Sequence, residues 1–170
     1  MVARFSMQKD HYTLIDAISM LSDKSCYLVL IGDGPLIFDL MKYANKLKID
    51  DRTLFLGVRQ DIPQLIKMSD ICVLSSNWEG FGLVAVEYMA AGRPVIVSNV
   101  SGLKDVVSDA GLIFEKGNSR DLRDKIESLI YNKNLYIDIT KKGQERSMHF
   151  DINKMIYDYI RVYNNAINNV

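Results

Sequence analysis

The chain has 170 residues, of which 48% are apolar, 25% charged and 9% aromatic, the balance of an ordinary globular chain, and its length predicts one domain. Its 21 Lys and Arg offset 21 Asp and Glu, which excludes a chain-wide positive field that would gather nucleic acid or an anionic membrane, while a local basic pair can still hold a phosphate. Cys26 and Cys72 lie in apolar runs far from any CxxC pair or His cluster, which excludes a disulfide framework and a zinc site; no segment reaches the ~20 apolar residues of a membrane span.

The N-terminus supplies Met1, Val2 and Ala3 before Arg4, too few for a full first strand when strands run about five to six residues, as though the chain were cut from a longer polypeptide. Its first residues show no basic segment followed by an apolar one, and the isolated Cys26 and Cys72 make a reducing cytoplasm the expected compartment. From there, short β-rich runs alternate with longer segments of helical period. Strands are predicted at 27–31, 53–56, 71–74, 94–97 and 111–114, and helices at 12–21, 36–47, 62–68, 82–91, 103–107 and 119–131. Most of the strands are continuous apolar runs without polar alternation, as strands covered on both faces require. This order predicts an α/β fold, a Rossmann-like doubly wound parallel sheet flanked by helices, with its ligand at the carboxyl ends of the strands. Ile152, Met155, Ile156, Tyr159, Tyr163 and Ile167 recur at helical spacing and predict a final amphipathic helix. The domain is therefore placed at 1–150, with 151–170 a helix whose apolar stripe packs on this domain or on a neighbouring one.

Residues 75–92, Ser-Ser-Asn-Trp-Glu-Gly-Phe-Gly-Leu-Val-Ala-Val-Glu-Tyr-Met-Ala-Ala-Gly, carry the most chemistry. They begin where a buried strand ends and run into a helix closed by Gly92. Gly80 and Gly82 let the backbone approach a ligand at the helix N-terminus, where unpaired N–H groups and the macrodipole favour an anion such as diphosphate, although a Gly-x-Gly before a helix is more often plain turn chemistry. Glu87 is the lone charged residue from Leu83 to Ala91, and a carboxylate on a helix buried around most of its circumference needs a partner; its bland alternative is a solvent-facing position. Glu79 precedes it by eight residues, about 12 Å along a helix. That exceeds the roughly 5–9.5 Å of a glycosidase carboxylate pair, so the two acids suit opposite ends of an elongated ligand. Arg4 and Lys9 follow the truncated strand and so emerge at the same carboxyl edge, as a fork and a point charge for phosphate oxygens, unless they are simply solvated.

Arg4-x4-Lys9, the Gly32-Asp33-Gly34-Pro35 turn, Phe55-Leu56-Gly57 with Arg59, Asp61 and Ile62, Ser69-Asp70, Glu79-x7-Glu87 and Gly102-Leu103 together resemble the C-terminal half of the family 4 (group 1) retaining glycosyltransferases of GT-B fold. The likeness runs from residue 2 to about residue 115. It implies a Rossmann-like donor domain, one of two facing each other across a cleft, that binds a nucleotide-sugar donor such as a UDP- or GDP-sugar, with no cofactor and no metal. Carried over by position, Arg4 and Lys9 neutralise the diphosphate and serve the leaving group. The amides around Gly80, Phe81, Gly82 and Leu83 complete its cradle. Glu79 holds hydroxyls of the transferred sugar, Glu87 those of the ribose, and the base lies near Gly57 to Arg59. By the same resemblance the partners are the donor and an N-terminal acceptor domain missing here, with transfer to a glycan or lipid-linked sugar. The isolated chain is then inactive, cytoplasmic, and at most peripheral at the inner membrane face as part of a full-length enzyme, through the missing half.

Three positions depart from the family pattern: Ala3 and Asp10 stand where Gly is usual, and Ser101 replaces the first of a frequent Gly-Gly pair. A carboxylate at Asp10 is expected to weaken the pull of Lys9 on phosphate. His11 and His149 are expected at the surface or in helix caps, Asp33 in a structural turn, and Trp78 as an apolar plug. The alternatives are a nucleotide-sugar epimerase half of GT-B architecture, disfavoured by the Glu79-x7-Glu87 pattern, and a binding-only nucleotide domain. A receiver-type signalling module fails for want of an acidic cluster after the first strand, and a P-loop nucleotidase for want of GxxxxGK[ST].

Overall fold

A computed structural model describes residues 1–168. Five strands form, β1 (Leu28–Leu30), β2 (Thr53–Phe55), β3 (Cys72–Leu74), β4 (Val95–Ser98) and β5 (Leu112–Phe114). All paired neighbours are parallel: β1 pairs with β2, and β4 lies between β3 and β5. The first three residues form the stub that sequence length allowed. Val2 bridges Ile31 in parallel, Ala3 N–H donates to Ile31 O at 2.9 Å, and Ile31 N–H donates to Met1 O at 2.9 Å.

Eight helices join and follow these strands: α1 (His11–Ser19), α2 (Ile37–Lys46), α3 (Ile62–Met68), α4 (Leu83–Ala90), α5 (Leu103–Val107), α6 (Ser119–Tyr131), α7 (Lys133–Ser147) and α8 (Ile152–Asn168). Side chains alternate across a strand, and the two apolar clusters are the two faces of the larger sheet. Val73, Ile96 and Phe114 point into the cluster formed with α1, α2 and α6. Cys72, Leu74, Val95 and Val97 point into the one formed with α3, α4 and α5. The doubly wound arrangement expected from apolar strands is thus realised, with Met1 packed against both clusters.

α7 was not among the expected helices. Asn132 separates it from α6 by a single residue and caps it, accepting from Leu135 N–H at 3.0 Å. Two of its buried residues are Ile139 and Gly143, so its apolar signal is thin. Gly143 lets the helix lie against Met89 of α4, whose Cγ would be 3.4 Å from a Cβ there. α8 is exposed along its length from Ile152 to Ile167, apart from half-buried Asp158, and its stripe does not pack on this domain. Among the described residues no helix is long and apolar enough to cross a membrane.

His11 overturns its expected surface or capping role. It is 1% exposed, with its ring edge-on to Phe5 at 4.8 Å, and neither ring nitrogen has a hydrogen-bond partner. Asp10 is the cap instead, accepting from Thr13 N–H at 3.3 Å. Burial first, then the Met1 amino group and Lys9, push the His11 pKa down from 6.5 to about 3. The unfolded chain therefore binds a proton that the folded chain refuses once the pH falls below 6.5. Stability should fall from pH 6.5 towards pH 5 with a slope approaching about 1.4 kcal/mol per pH unit from this group. Urea unfolding across that range should show the decline in the native chain and a flatter limb in His11→Phe; equal limbs would remove His11 as the cause.

Candidate donor site at the start of α4

β3 ends at Leu74 and delivers two buried serines, Ser75 and Ser76, to the carboxyl edge of the sheet. The Ser75 hydroxyl donates to Asp10 O at 2.8 Å, with Lys9 O at 3.1 Å, and the Ser98 hydroxyl donates to Ser76 O at 2.6 Å. Further out, Asn77 N–H donates to Gln8 O (2.7 Å), Asn77 Nδ2 to Met7 O (2.8 Å) and Gln8 Nε2 to Trp78 O (3.1 Å). The loop after the first strand is thereby fastened to the loop before α4. Lys9 and Glu79 meet across this junction in an ion pair, with side chains only 20% and 13% exposed, and Ser76 Oγ lies 3.4 Å from the same carboxylate oxygen.

This pair lines a hollow of about 340 Å³ together with the Gly80–Phe81–Gly82–Leu83 segment, Leu74 and Val84. Gly82 takes φ +80 at the N-cap of α4, and a Cβ there would lie 2.4 Å from the Leu103 side chain. No side chain caps α4. Its first N–H groups and the positive end of its dipole are therefore left for water or an anion. Gly102, at φ +88, presses on the same loop, since its Cβ would lie 2.5 Å from Glu79 O and 2.7 Å from Gly80 O.

Glu87 takes the solvent-facing position that was its alternative reading, not an enclosed one with a charged partner. Leu83, Glu87 and Ala90, at i, i+4 and i+7, form an exposed stripe of α4. Glu87 lies in a second hollow of about 300 Å³ between α4 and α3, beside Pro63, Ile66 and Lys67. The two carboxylates thus occupy separate hollows strung along one face of a helix, not a single one.

Other singled-out residues sit apart from both hollows. Arg4 is exposed and, among the described residues, makes no ion pair; its backbone is set by the turn at 32–35, where Phe5 N–H donates to Asp33 O at 2.9 Å and a Cβ on Gly32 would lie 2.1 Å from Ala3 O. Gly57 follows β2 at φ +65 and accepts from Gly32 N–H at 2.9 Å. Arg59 forks onto Asp61 through two 2.8 Å bonds, which hold the guanidinium pKa up and the carboxyl pKa down. Trp78 is 58% exposed and is no plug. His149 is exposed, beside Arg146 O. Asp10, in the left-handed region at φ +45, stands where glycine is usual and where Asp is among the tolerated residues; its carboxylate caps α1. Gln8, Ser75, Ser76 and Asn77 were not anticipated as braces, although a polar Ser-Ser directly after an apolar run marks such a strand end. Among the described residues no three metal-ligating side chains gather.

Residues 1–146 match the family profile described as glycosyl transferases group 1. The chain is 30% identical over 166 residues to N-acetyl-alpha-D-glucosaminyl L-malate synthase of Bacillus anthracis, covering 95% of this chain and 44% of that protein. It is 29% identical over 174 residues to the N,N'-diacetylbacillosaminyl-diphospho-undecaprenol alpha-1,3-N-acetylgalactosaminyltransferase of Campylobacter jejuni, covering 100% of this chain and 45% of that protein. Among solved structures, HepE of Anabaena in complex with UDP superposes with a TM-score of 0.91 at 27% identity, over 96% of this chain and 47% of HepE; that protein has also been solved with UDP-glucose. The chain therefore spans less than half the length of these relatives. Its doubly wound sheet, its motifs and the match over residues 1–146 make it a member of the group 1 glycosyltransferase family, of GT-B fold.

Proposed function

We propose that this chain is the donor-binding half of a retaining glycosyltransferase, which takes a UDP- or GDP-sugar and passes the sugar to a glycan or lipid-linked acceptor held by a second domain. The observation that carries this reading is the uncapped N-terminus of α4 opening into a hollow walled by Lys9 and Glu79. Support comes also from the nucleotide in the Anabaena neighbour and from the lipid-diphosphate acceptor in the name of the Campylobacter relative.

In this reading the diphosphate lies on the Phe81–Leu83 amides. Lys9, with Arg4 reaching in from outside the hollow, neutralises the charge that grows on the leaving group, without a metal. The acceptor hydroxyl attacks the anomeric carbon from the face the diphosphate leaves. The new C–O bond forms as the old one breaks, and the hydroxyl proton passes to a phosphate oxygen. Catalysis of this kind needs fixed positive charge where negative charge develops, more than a protein nucleophile. Glu79 accepts from hydroxyls of the sugar, Glu87 in the adjoining hollow accepts from the ribose, and the Gly57–Arg59 loop borders the base. The exposed stripe of α8 docks on the second domain. The site works in the cytoplasm, and membrane association is peripheral and through that second domain.

Nucleoside diphosphates should raise the melting temperature, because a ligand of the folded state at 100 times its Kd adds about 2.7 kcal/mol. UDP, GDP and ADP scanned side by side should give a shift with at least one; no shift with any of them at millimolar concentration would overturn the reading. Lys9→Ala should weaken that nucleotide by about 1.5–3 kcal/mol, the worth of a hydrogen bond to a charged group.

Glu87→Ala should weaken free nucleoside diphosphate more than Glu79→Ala does. Only Glu87 meets the ribose, whereas removal of Glu79 releases Lys9 from its ion pair. Titration calorimetry giving equal losses in the two variants would refute this division.

A further inference from the structure

Phe81 lies in the middle of the Gly80–Leu83 segment, and it is 43% exposed despite its large apolar ring. It meets Phe150 edge-on, with centroids 5.5 Å apart and planes at 83°. Phe150 ends the short 3-10 turn Met148–Phe150 that links α7 to α8. The Arg146 guanidinium stands 5.2 Å from the Phe150 ring centroid. Arg146 is itself fixed, because its Nε donates to Val106 O at 3.0 Å and its Nη2 to Asp105 O at 2.9 Å, both carbonyls of α5. α5 is preceded by its N-cap Gly102, which presses on Glu79 O and Gly80 O. The contacts therefore close a ring: the Gly80–Leu83 segment touches Phe150, Phe150 touches Arg146, Arg146 grips α5, and the start of α5 returns to the same segment.

We propose that Phe150, braced by Arg146, is a positioning residue for the diphosphate cradle, holding Phe81 so that the amides of residues 81–83 converge on the hollow. The proposal rests on the donor-site reading above and adds to it a residue outside every motif of the site. A glycine-flanked loop has little stiffness of its own. An edge-on aromatic contact supplies a directional restraint that a merely apolar neighbour does not. Phe150 does not itself line the hollow, so its effect must pass through Phe81, which does, and fall on the phosphates rather than on the nucleoside.

The test uses the intact chain with Phe150→Ala, Phe150→Tyr and Arg146→Ala, and whichever of UDP, GDP or ADP binds the native chain, paired with its monophosphate. Titration calorimetry should show the diphosphate weakened about threefold to tenfold in Phe150→Ala, the monophosphate nearly unchanged, and Phe150→Tyr close to native. Without nucleotide, amide hydrogen exchange over residues 80–84 should quicken in Phe150→Ala and return to native rates in Phe150→Tyr. If Phe150→Ala does not fold, Arg146→Ala puts the same question from the other side of the ring. An unchanged diphosphate-to-monophosphate ratio together with unchanged exchange overturns the proposal. A native chain that binds no nucleoside diphosphate overturns the donor-site reading instead, and the exchange measurement still decides whether Phe150 orders the loop.

Discussion

The fastening of residues 7–10 onto residues 75–79 sets where every charged group of the hollow can stand. Lys9 and Glu79 are 70 positions apart in the chain, and they meet because Ser75, Gln8 and Asn77 tie the two loops through main-chain carbonyls and amides. The ion pair is not a strong source of stability, since desolvating two charges offsets most of their attraction. It is better understood as a consequence of the braces, which place a cation and an anion at one helix mouth and leave the amides of that helix open. A cradle of this kind needs rigidity in its parts and vacancy at its centre, and the two serines supply the first without filling the second.

Much of this architecture was legible in the chain. Apolar runs without alternation marked strands covered on both faces, and Cys72, Val73 and Leu74 are all buried as that requires. What escaped did so for identifiable reasons. α7 fully buries only Ile139 and Gly143, its other apolar residues Leu135, Tyr136 and Ile137 crowd its first turns, and its second half is polar apart from Gly143, so no sustained stripe announced it. The surroundings of Glu87 stayed open between a partnered and a solvent-facing position because its neighbours are apolar; Leu83 and Ala90 on the same stripe are exposed too, and composition cannot tell an apolar residue facing the core from one facing a hollow. His11 looked like a surface residue because its type is polar; packing on Phe5 decided otherwise. The braces were hidden because their side-chain donors end on backbone carbonyls, which any residue carries.

The division of the site into two hollows bears on the ligand. A ligand gripped at one point favours a compact pocket, whereas two openings along the Leu83–Glu87–Ala90 stripe favour one laid lengthwise down the helix. A nucleoside-diphosphate sugar has that form, with its charge in the middle and hydroxyls at both ends. The order of groups along α4 follows the same sequence, from Glu79, to the open amides, to Glu87. Arg4 falls outside it, exposed and without an ion pair among the described residues.

The Lys9–Glu79 pair also solves a problem of charge. A half-buried lysine and a half-buried glutamate each lack full hydration, and either one left alone would be costly. Before a donor arrives they satisfy each other. When a donor binds in the manner proposed, phosphate oxygens replace the carboxylate on Lys9, and sugar hydroxyls replace the ammonium on Glu79. The exchange leaves neither group stranded at either stage. It also makes the sugar more than a passenger, because a bare diphosphate would take Lys9 and leave Glu79 with only the Ser76 hydroxyl 3.4 Å away. In the manner of binding proposed, the hydroxyls of a sugar-bearing donor therefore give Glu79 hydrogen bonds that a free nucleotide withholds, before any contact that tells one sugar from another.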